Sequence, residues 1–207
     1  MTGPARVAPA APGLLMLVDD AGDDTGMLVA PAADVSPAAI AAMVRHGSGF
    51  LFVTLSAAAA VRLDLPAMDG ADAASDPGSP MSRQRVSVDA AAHVGTGISA
   101  RDRARTAALL ADPTTVAPDL TRPGHVVPVV VDTGAPRWPA DRAHLAVGGP
   151  AVYAAVPGGA AGTGLAAVDE LRALAAALGI PVVATLPTAL DPPVDGSTTA
   201  RTSVVVR

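Results

Sequence analysis

The sequence predicts an α/β domain with a mixed sheet flanked by helices. Short runs of buried-strand type alternate along the chain with capped, amphipathic helical segments. No strand–GxGxxG–helix fingerprint and no Walker-type loop marks a nucleotide-binding parallel sheet. The 207 residues are half hydrophobic, enough for one core of ordinary size.

Residues 1–13, rich in Pro and Ala, read as a disordered leader. Leu14–Val18 reads as a buried strand, Asp19–Gly26 as an acidic turn, and Met27–Ala30 as a second short strand. Ser36 caps a helix, with Pro37 at its first position, and Gly47 stops it after Arg45 and His46; Ile40, Met43 and Val44 form its apolar stripe. His46 at that end is read as favourable with the helix dipole. Phe50–Leu55 follows as a strand. Residues 69–83 lack periodicity, are dense in turn formers, and read as a long mobile loop. Arg85–Asp89 returns to strand character. Ser99 caps a helix over Arg101–Ala111 that ends before Pro113, with Asp102 placed as a capping-box acid. Val126–Val131 is a strand, and 148–164 is a glycine- and alanine-rich stretch without a dinucleotide-site context. Val168–Leu178 is a helix closed by Gly179, and Val182–Leu186 is a last strand. Residues 14–190 make one domain, followed by a flexible tail over 191–207.

Composition excludes several chemistries. The chain has no cysteine, lysine or asparagine. It therefore has no disulfide, thiol nucleophile, zinc–thiolate site or Schiff-base lysine. Of its 19 acidic residues only Glu170 is glutamate, so paired glutamates cannot perform acid–base work. A GC-rich coding sequence accounts for arginine in place of lysine and leaves the scarcity of glutamate unexplained. The net charge of −5 argues against a nucleic-acid or anionic-membrane partner. Apolar runs such as Leu14–Val18 and Val126–Val131 are far too short to span a bilayer. The absence of an export signal points to the cytoplasm. No GxSxG elbow, HExxH or EF-hand spacing occurs.

Two stretches carry more specific information: Thr96-Gly-Ile-Ser-Ala-Arg-Asp-Arg-Ala-Arg-Thr106 and Arg122-Pro-Gly-His-Val-Val-Pro128. With Val18-Asp-Asp20, Leu65-Pro-Ala-Met68 and Ser87-Val-Asp89, in this order and spacing, the chain resembles 3,4-dihydroxy-2-butanone 4-phosphate synthase over about residues 14–190. That family makes the four-carbon unit of riboflavin from ribulose 5-phosphate. The resemblance implies a single domain of the dihydroxybutanone phosphate synthase type, usually a homodimer, using one or two magnesium ions. The implied reaction isomerises the sugar phosphate through enediols, rearranges its carbon skeleton and expels formate.

Residue by residue, the resemblance is incomplete. The family's acidic loop reads approximately DDEDRENEGDL; here the segment is Asp19-Asp-Ala-Gly-Asp-Asp-Thr-Gly-Met-Leu28, one residue shorter. The substrate-contacting arginine aligns with Asp23, the metal-binding glutamate with Asp24 and a substrate-binding aspartate with Met27. The histidine ligand of a GHTEA segment aligns with Ala140; sliding by four brings in His144 with a poorer fit of its neighbours. The catalytic glutamate falls at Ala155. His125, Arg137 and the TGISA turn survive.

These departures set the functional expectations. His125 is a candidate base or donor, with Asp24 beside it as the remaining catalytic carboxylate. Asp20, Met27, Thr96, Ser99, Arg137, Ala140 and Ala155 are candidate ligand-contact positions. Thr96 and Ser99 also have a purely structural reading, as turn and cap. Two of Arg101, Arg103 and Arg105 are expected in surface or interface pairs with Asp102 or other acids. Trp138 and Tyr153 are read as packing residues. No cofactor is expected and no metal site, with Mg²⁺ at most weakly held by Asp24. The ligand is a small molecule, less polar than a sugar phosphate, and the chain is a homodimer with no nucleic-acid or membrane partner. The first expectation is a repurposed enzyme performing a rearrangement, cyclisation or elimination in specialised metabolism. The alternatives are a non-catalytic binding or regulatory relative, and an active Mg²⁺-dependent synthase.

Overall fold

The computed structural model describes residues 12–19, 26–68, 83–136, 138–159, 162–185 and 204–206. Ten strands and five helices follow in order: β1 (Leu15–Asp19), β2 (Gly26–Pro31), α1 (Pro37–His46), β3 (Leu51–Leu55), α2 (Ala57–Arg62), β4 (Val88–Ala90), α3 (Ala100–Ala111), β5 (Leu120–Val130), α4 (Pro139–Val147), β6 (Ala151–Ala155), β7 (Pro157–Gly158), β8 (Gly164–Leu165), α5 (Val168–Leu178), β9 (Val182–Thr185) and β10 (Val204–Val206). Eight strands form one sheet in the order β10-β9-β1-β2-β6-β3-β5-β4, and β7 and β8 pair separately. β1 with β9 and β3 with β5 are parallel; the other pairs are antiparallel. The mixed α/β sheet expected from the sequence is the observed one.

Strand alternation divides the core. One sheet face, with Met16, Val18, Leu28, Leu51, Val53, Val126 and Val152, packs beneath α1, α3 and α5. The opposite face, with Leu17, Met27, Val29, Val127, Val129, Tyr153 and Val183, is covered by α4. Helix ends follow the local chemistry of the sequence. Ser36 Oγ accepts the Ala39 N–H at 3.1 Å, and the Gly47 N–H closes α1 on the Met43 carbonyl at 2.8 Å. Gly148 and Gly179 end α4 and α5 in the left-handed conformation at φ 73° and 65°. Glu170 also has a structural explanation. Its carboxylate accepts the N–H groups of Ala167 and Gly159, each at 3.0 Å, tying the start of α5 to the β7 turn.

Besides the short β7 and β8, the sequence reading lacks α2, α4 and β6. α2 lies in a run of alanines that shows no periodicity. α4 and β6 fall where Pro, Gly and Ala obscure both periods. β5 begins six residues before the expected Val126, because Leu120 and Thr121 pair with Ala90 and Asp89. β4 is shorter than Arg85–Asp89, and Arg85 takes part only in an isolated bridge to Ala67. Val204–Val206, assigned to the tail, pairs with β9. Residues 1–11, 69–82, 186–203 and 207 lie outside the described residues, so most of the expected leader, loop and tail do too. Among the described residues no helix is long and apolar enough to cross a membrane.

Candidate functional site

The site is built where β5 passes β4. Gly124 lets the two backbones meet: a Cβ there would collide with the Val88 and Asp89 main chain. The register shifts between Val88 and Asp89, and this irregularity sets the Asp89 carboxylate under the next residue of β5. Asp89 Oδ1 accepts the His125 backbone N–H at 3.0 Å, and Oδ2 lies 2.7 Å from His125 Nδ1. An ionised carboxylate only accepts, so the ring nitrogen facing it carries a proton, and a ring with a single proton has its lone pair on Nε2. The Asp89 side chain is 10% exposed and that of His125 39%. The acid is the buried anchor and the imidazole is the open end.

The TGISA turn closes over this pair. Gly97 has φ +82°, and a Cβ on it would collide with the Asp89 carboxylate and lie 2.9 Å from His125 Nδ1. Asp102 Oδ2 fixes the turn by accepting the Gly95 and Gly97 N–H groups at 3.2 and 3.3 Å. Ser99 Oγ caps α3 by accepting the Asp102 N–H at 3.1 Å. The two sequence stretches that carry the resemblance thus meet in space, through a glycine that only fits because it has no side chain.

His125 opens into a cavity of about 300 Å³ whose walls include Phe50, Met68, Ser87, Arg103 and Val127. Phe50 packs edge-on against Phe52 with centroids 5.0 Å apart, and Phe52 stacks on Tyr153 at 5.1 Å. Three of the four Phe, Tyr and Trp rings of the chain therefore form one ladder leading from the cavity into the sheet. Tyr153 is part of this ladder, and burial pushes its phenol well above the ordinary value, which keeps it neutral.

The predicted residues separate into groups. Met27 and Ala155 are direct cross-strand partners, and Met27 and Ala140 belong to one buried apolar cluster with Tyr153. None of the three is in the wall of the His125 cavity. The Ala155 carbonyl accepts the Ser48 N–H at 2.7 Å, beside Gly49 and Phe50, which do line it. Thr96 is exposed, and neither Thr96 nor Ser99 lines the cavity. Asp20, Asp24 and Arg137 lie outside the described residues. His144 is held structurally. Thr54 Oγ1 accepts the Ala151 N–H at 2.8 Å and is hydrogen-bonded to His144 Nδ1 at 2.9 Å, and burial lowers the affinity of that ring for a second proton. The ring of His46 is also pushed toward neutrality, by burial and by Arg45. Among the described residues none of the three helix arginines pairs with Asp102 or another acid: Arg103 Nη1 donates to the Gly49 carbonyl and Arg105 Nε to the Ala92 carbonyl, while Asp102 serves the turn. Sequence reasoning missed Asp89 and Arg103 as site residues. Asp89 stood in a quoted motif, and only its separation of 36 residues from His125 hid the partnership.

The family model described as 3,4-dihydroxy-2-butanone 4-phosphate synthase matches residues 7–148. The riboflavin biosynthesis protein RibBA of Rhodococcus jostii is 44% identical over 121 residues, which are 58% of this chain and 28% of the relative. RibBA of Mycobacterium tuberculosis is 42% identical over the same share of each. The chain thus spans about a quarter of the length of these curated relatives. Among solved structures, the 3,4-dihydroxy-2-butanone 4-phosphate synthase of Candida albicans superposes with a TM-score of 0.69 at 25% identity, covering 83% of this chain and 87% of that one. A synthase in complex with two magnesium ions superposes at 0.67 with 28% identity, over 83% and 87%. That complex overturns the expectation of no cofactor. The sequence reading weighed one lost histidine and one shortened carboxylate too heavily against a fold that is solved with magnesium bound. Among the described residues no three His, Asp or Glu side chains converge as cation ligands. The carboxylates nearest in sequence to the family's metal position, Asp20, Asp23 and Asp24, lie outside those residues.

Proposed function

Because the chain belongs to the 3,4-dihydroxy-2-butanone 4-phosphate synthase family, we propose that it is a diverged member whose His125 cavity performs proton-transfer chemistry on a small molecule less polar than ribulose 5-phosphate. One observation carries this reading. Phe50, Met68 and Val127 line the cavity beside His125, and outside its wall the chain has Met27, Ala140 and Ala155 where the resemblance places an aspartate, a histidine and a glutamate. The aromatic ladder ending at Phe50 adds a flat apolar wall to the cavity.

The chain's own groups define the chemistry. Asp89 holds the Nδ1 proton, so Nε2 of the neutral ring is presented to the cavity as a base. After accepting a proton there, the imidazolium is stabilised by the carboxylate beneath it and can return the proton to a leaving or rearranging group. Gly97 packs directly against the pair, with no room there for a Cβ. Magnesium, the family's metal, supplies a Lewis acid that holds vicinal oxygens when bound. The carboxylates of Asp20, Asp23 and Asp24 are hard oxygen donors of the kind it takes. A homodimer belongs to this reading as well.

Thermal stabilisation of the full chain by a panel of small ligands, with Mg²⁺ present, tests the preference. Less polar, ring-bearing acids are expected to raise the melting temperature more than ribulose 5-phosphate at equal concentration. A larger shift with ribulose 5-phosphate contradicts the reading.

A further inference from the structure

We infer that the His125 cavity is built to bind a planar aromatic ring, and that Phe50 is the residue that selects it over a saturated ring of the same size. This deepens the proposed function, on which it rests for the location of the site, by naming the class of ligand. The chain holds two Phe, one Tyr and one Trp in 207 residues. Three of these four rings stand in one ladder, and its outer rung is in the cavity wall. Phe50 and Phe52 meet edge to face at 62°, and Phe52 and Tyr153 lie nearly parallel at 18°. Tyr153 is 8% exposed and anchors the inner end, whereas Phe50 at 53% leaves much of its ring open. A ring left half in water forgoes part of the burial that stabilises a core residue. Held at a fixed angle by its neighbours, it is instead a preformed surface for another ring.

The rest of the wall favours the same ligand. Arg103 reaches it from α3, with Nη1 donating to the Gly49 carbonyl at 3.2 Å and Nε buried without a hydrogen-bond partner. A guanidinium is planar and charged, and its flat face attracts the face of an aromatic ring. Met68 adds a thioether, which makes favourable contacts at ring edges. These three groups attract a π system more than they attract a saturated ring. Gly49 and Gly124 present bare backbone in the same wall, against which a flat body can lie. The volume of about 300 Å³ is at the lower end for small-molecule sites and suits one or two rings. Exposed apolar side chains elsewhere show no such setting: Val61, 81% exposed on α2, takes no part in this wall.

The test titrates the full chain with benzyl alcohol and with cyclohexylmethanol, which share a six-membered ring and a hydroxymethyl group. The His125 imidazole and Met68 methyl signals are followed by NMR. Burial alone favours cyclohexylmethanol, the more apolar of the two. Benzyl alcohol is nevertheless expected to bind saturably and at least ~3-fold more tightly, and its ring current to move the Met68 methyl signal upfield. Phe50→Leu keeps the apolar bulk and is expected to abolish or reverse the preference, with cyclohexylmethanol affinity held within ~2-fold. Val61→Ala is expected to leave the preference unchanged. Equal or tighter binding of cyclohexylmethanol to the unmodified chain, or shifts that do not saturate, overturns the inference. So does an intact preference in Phe50→Leu; if the solution mass of that variant also changes, Phe50 is a contact between copies instead. The first comparison needs no variant, so it stands even if Phe50→Leu fails to fold. Synthase turnover would refute the proposed function and leave these affinities as they are.

Discussion

His125 and Asp89 act as a unit because one carboxylate serves both the backbone and the ring of the same histidine. Replacing Asp89 with Asn keeps the shape but offers an N–H where Nδ1 needs an acceptor. Asp89→Asn is therefore expected to lower turnover of the true substrate by ~10²-fold or more, with a smaller change in KM, since proton transfer is typically worth that much. Gly97→Ala should be worse for folding than an ordinary surface change. Its φ of +82° and the collision with Asp89 predict a loss of about 1–3 kcal/mol, readable by urea unfolding. His144 gives a pH signature. Burial lowers its folded pKa below the ordinary 6.5, so the folded state binds the proton less well than the unfolded chain does. Stability is full above 6.5 and falls as pH drops from 6.5 toward the lowered folded value. Urea midpoints measured at pH 7.5 and 5.5 should show this fall, and His144→Gln should reduce it; His46, lowered by burial and by Arg45, acts in the same direction.

At the scale of elements, capping decides where helices begin, and it was the most legible signal in the sequence. Ser36 and Ser99 cap as their positions predict, because a hydroxyl before a helical run has one obvious amide to accept. Glu170 shows what pattern reading does not reach. Its two acceptor bonds tie α5 to a turn eleven residues earlier in the chain, and Glu170→Ala should lower stability by about 1 kcal/mol, with Glu170→Gln losing less. Alanine explains the missed elements. Runs such as Ala57–Ala60 satisfy a helix, a strand or a tight packing layer equally well, so α2, α4 and β6 are fixed by the sheet around them. The site was half legible for a related reason. His125 and the TGISA turn stood out as motifs, whereas Arg103 and the Phe50–Phe52–Tyr153 ladder become site features only once β3, β5, β6 and α3 are assembled.

The whole molecule presents two unlike sheet faces. Among the described residues three helices cover one and a single helix, α4, the other, while Phe50 at 53% and Ile98 at 56% exposure remain open near the site. The proposed homodimer predicts a solution mass of two chains by light scattering; a mass of one chain contradicts it. The fold is that of the synthases, so the difference proposed for this chain lies in a few side chains at Met27, Ala140 and Ala155. Formate release from ribulose 5-phosphate tests that difference most directly. The full chain would be assayed with saturating Mg²⁺ beside a synthase of the same fold. Loss of the proton-transfer group at Ala155 alone predicts a rate at least ~10²-fold below that synthase. Formate released at an equal rate would contradict the account and return the chain to the riboflavin reaction.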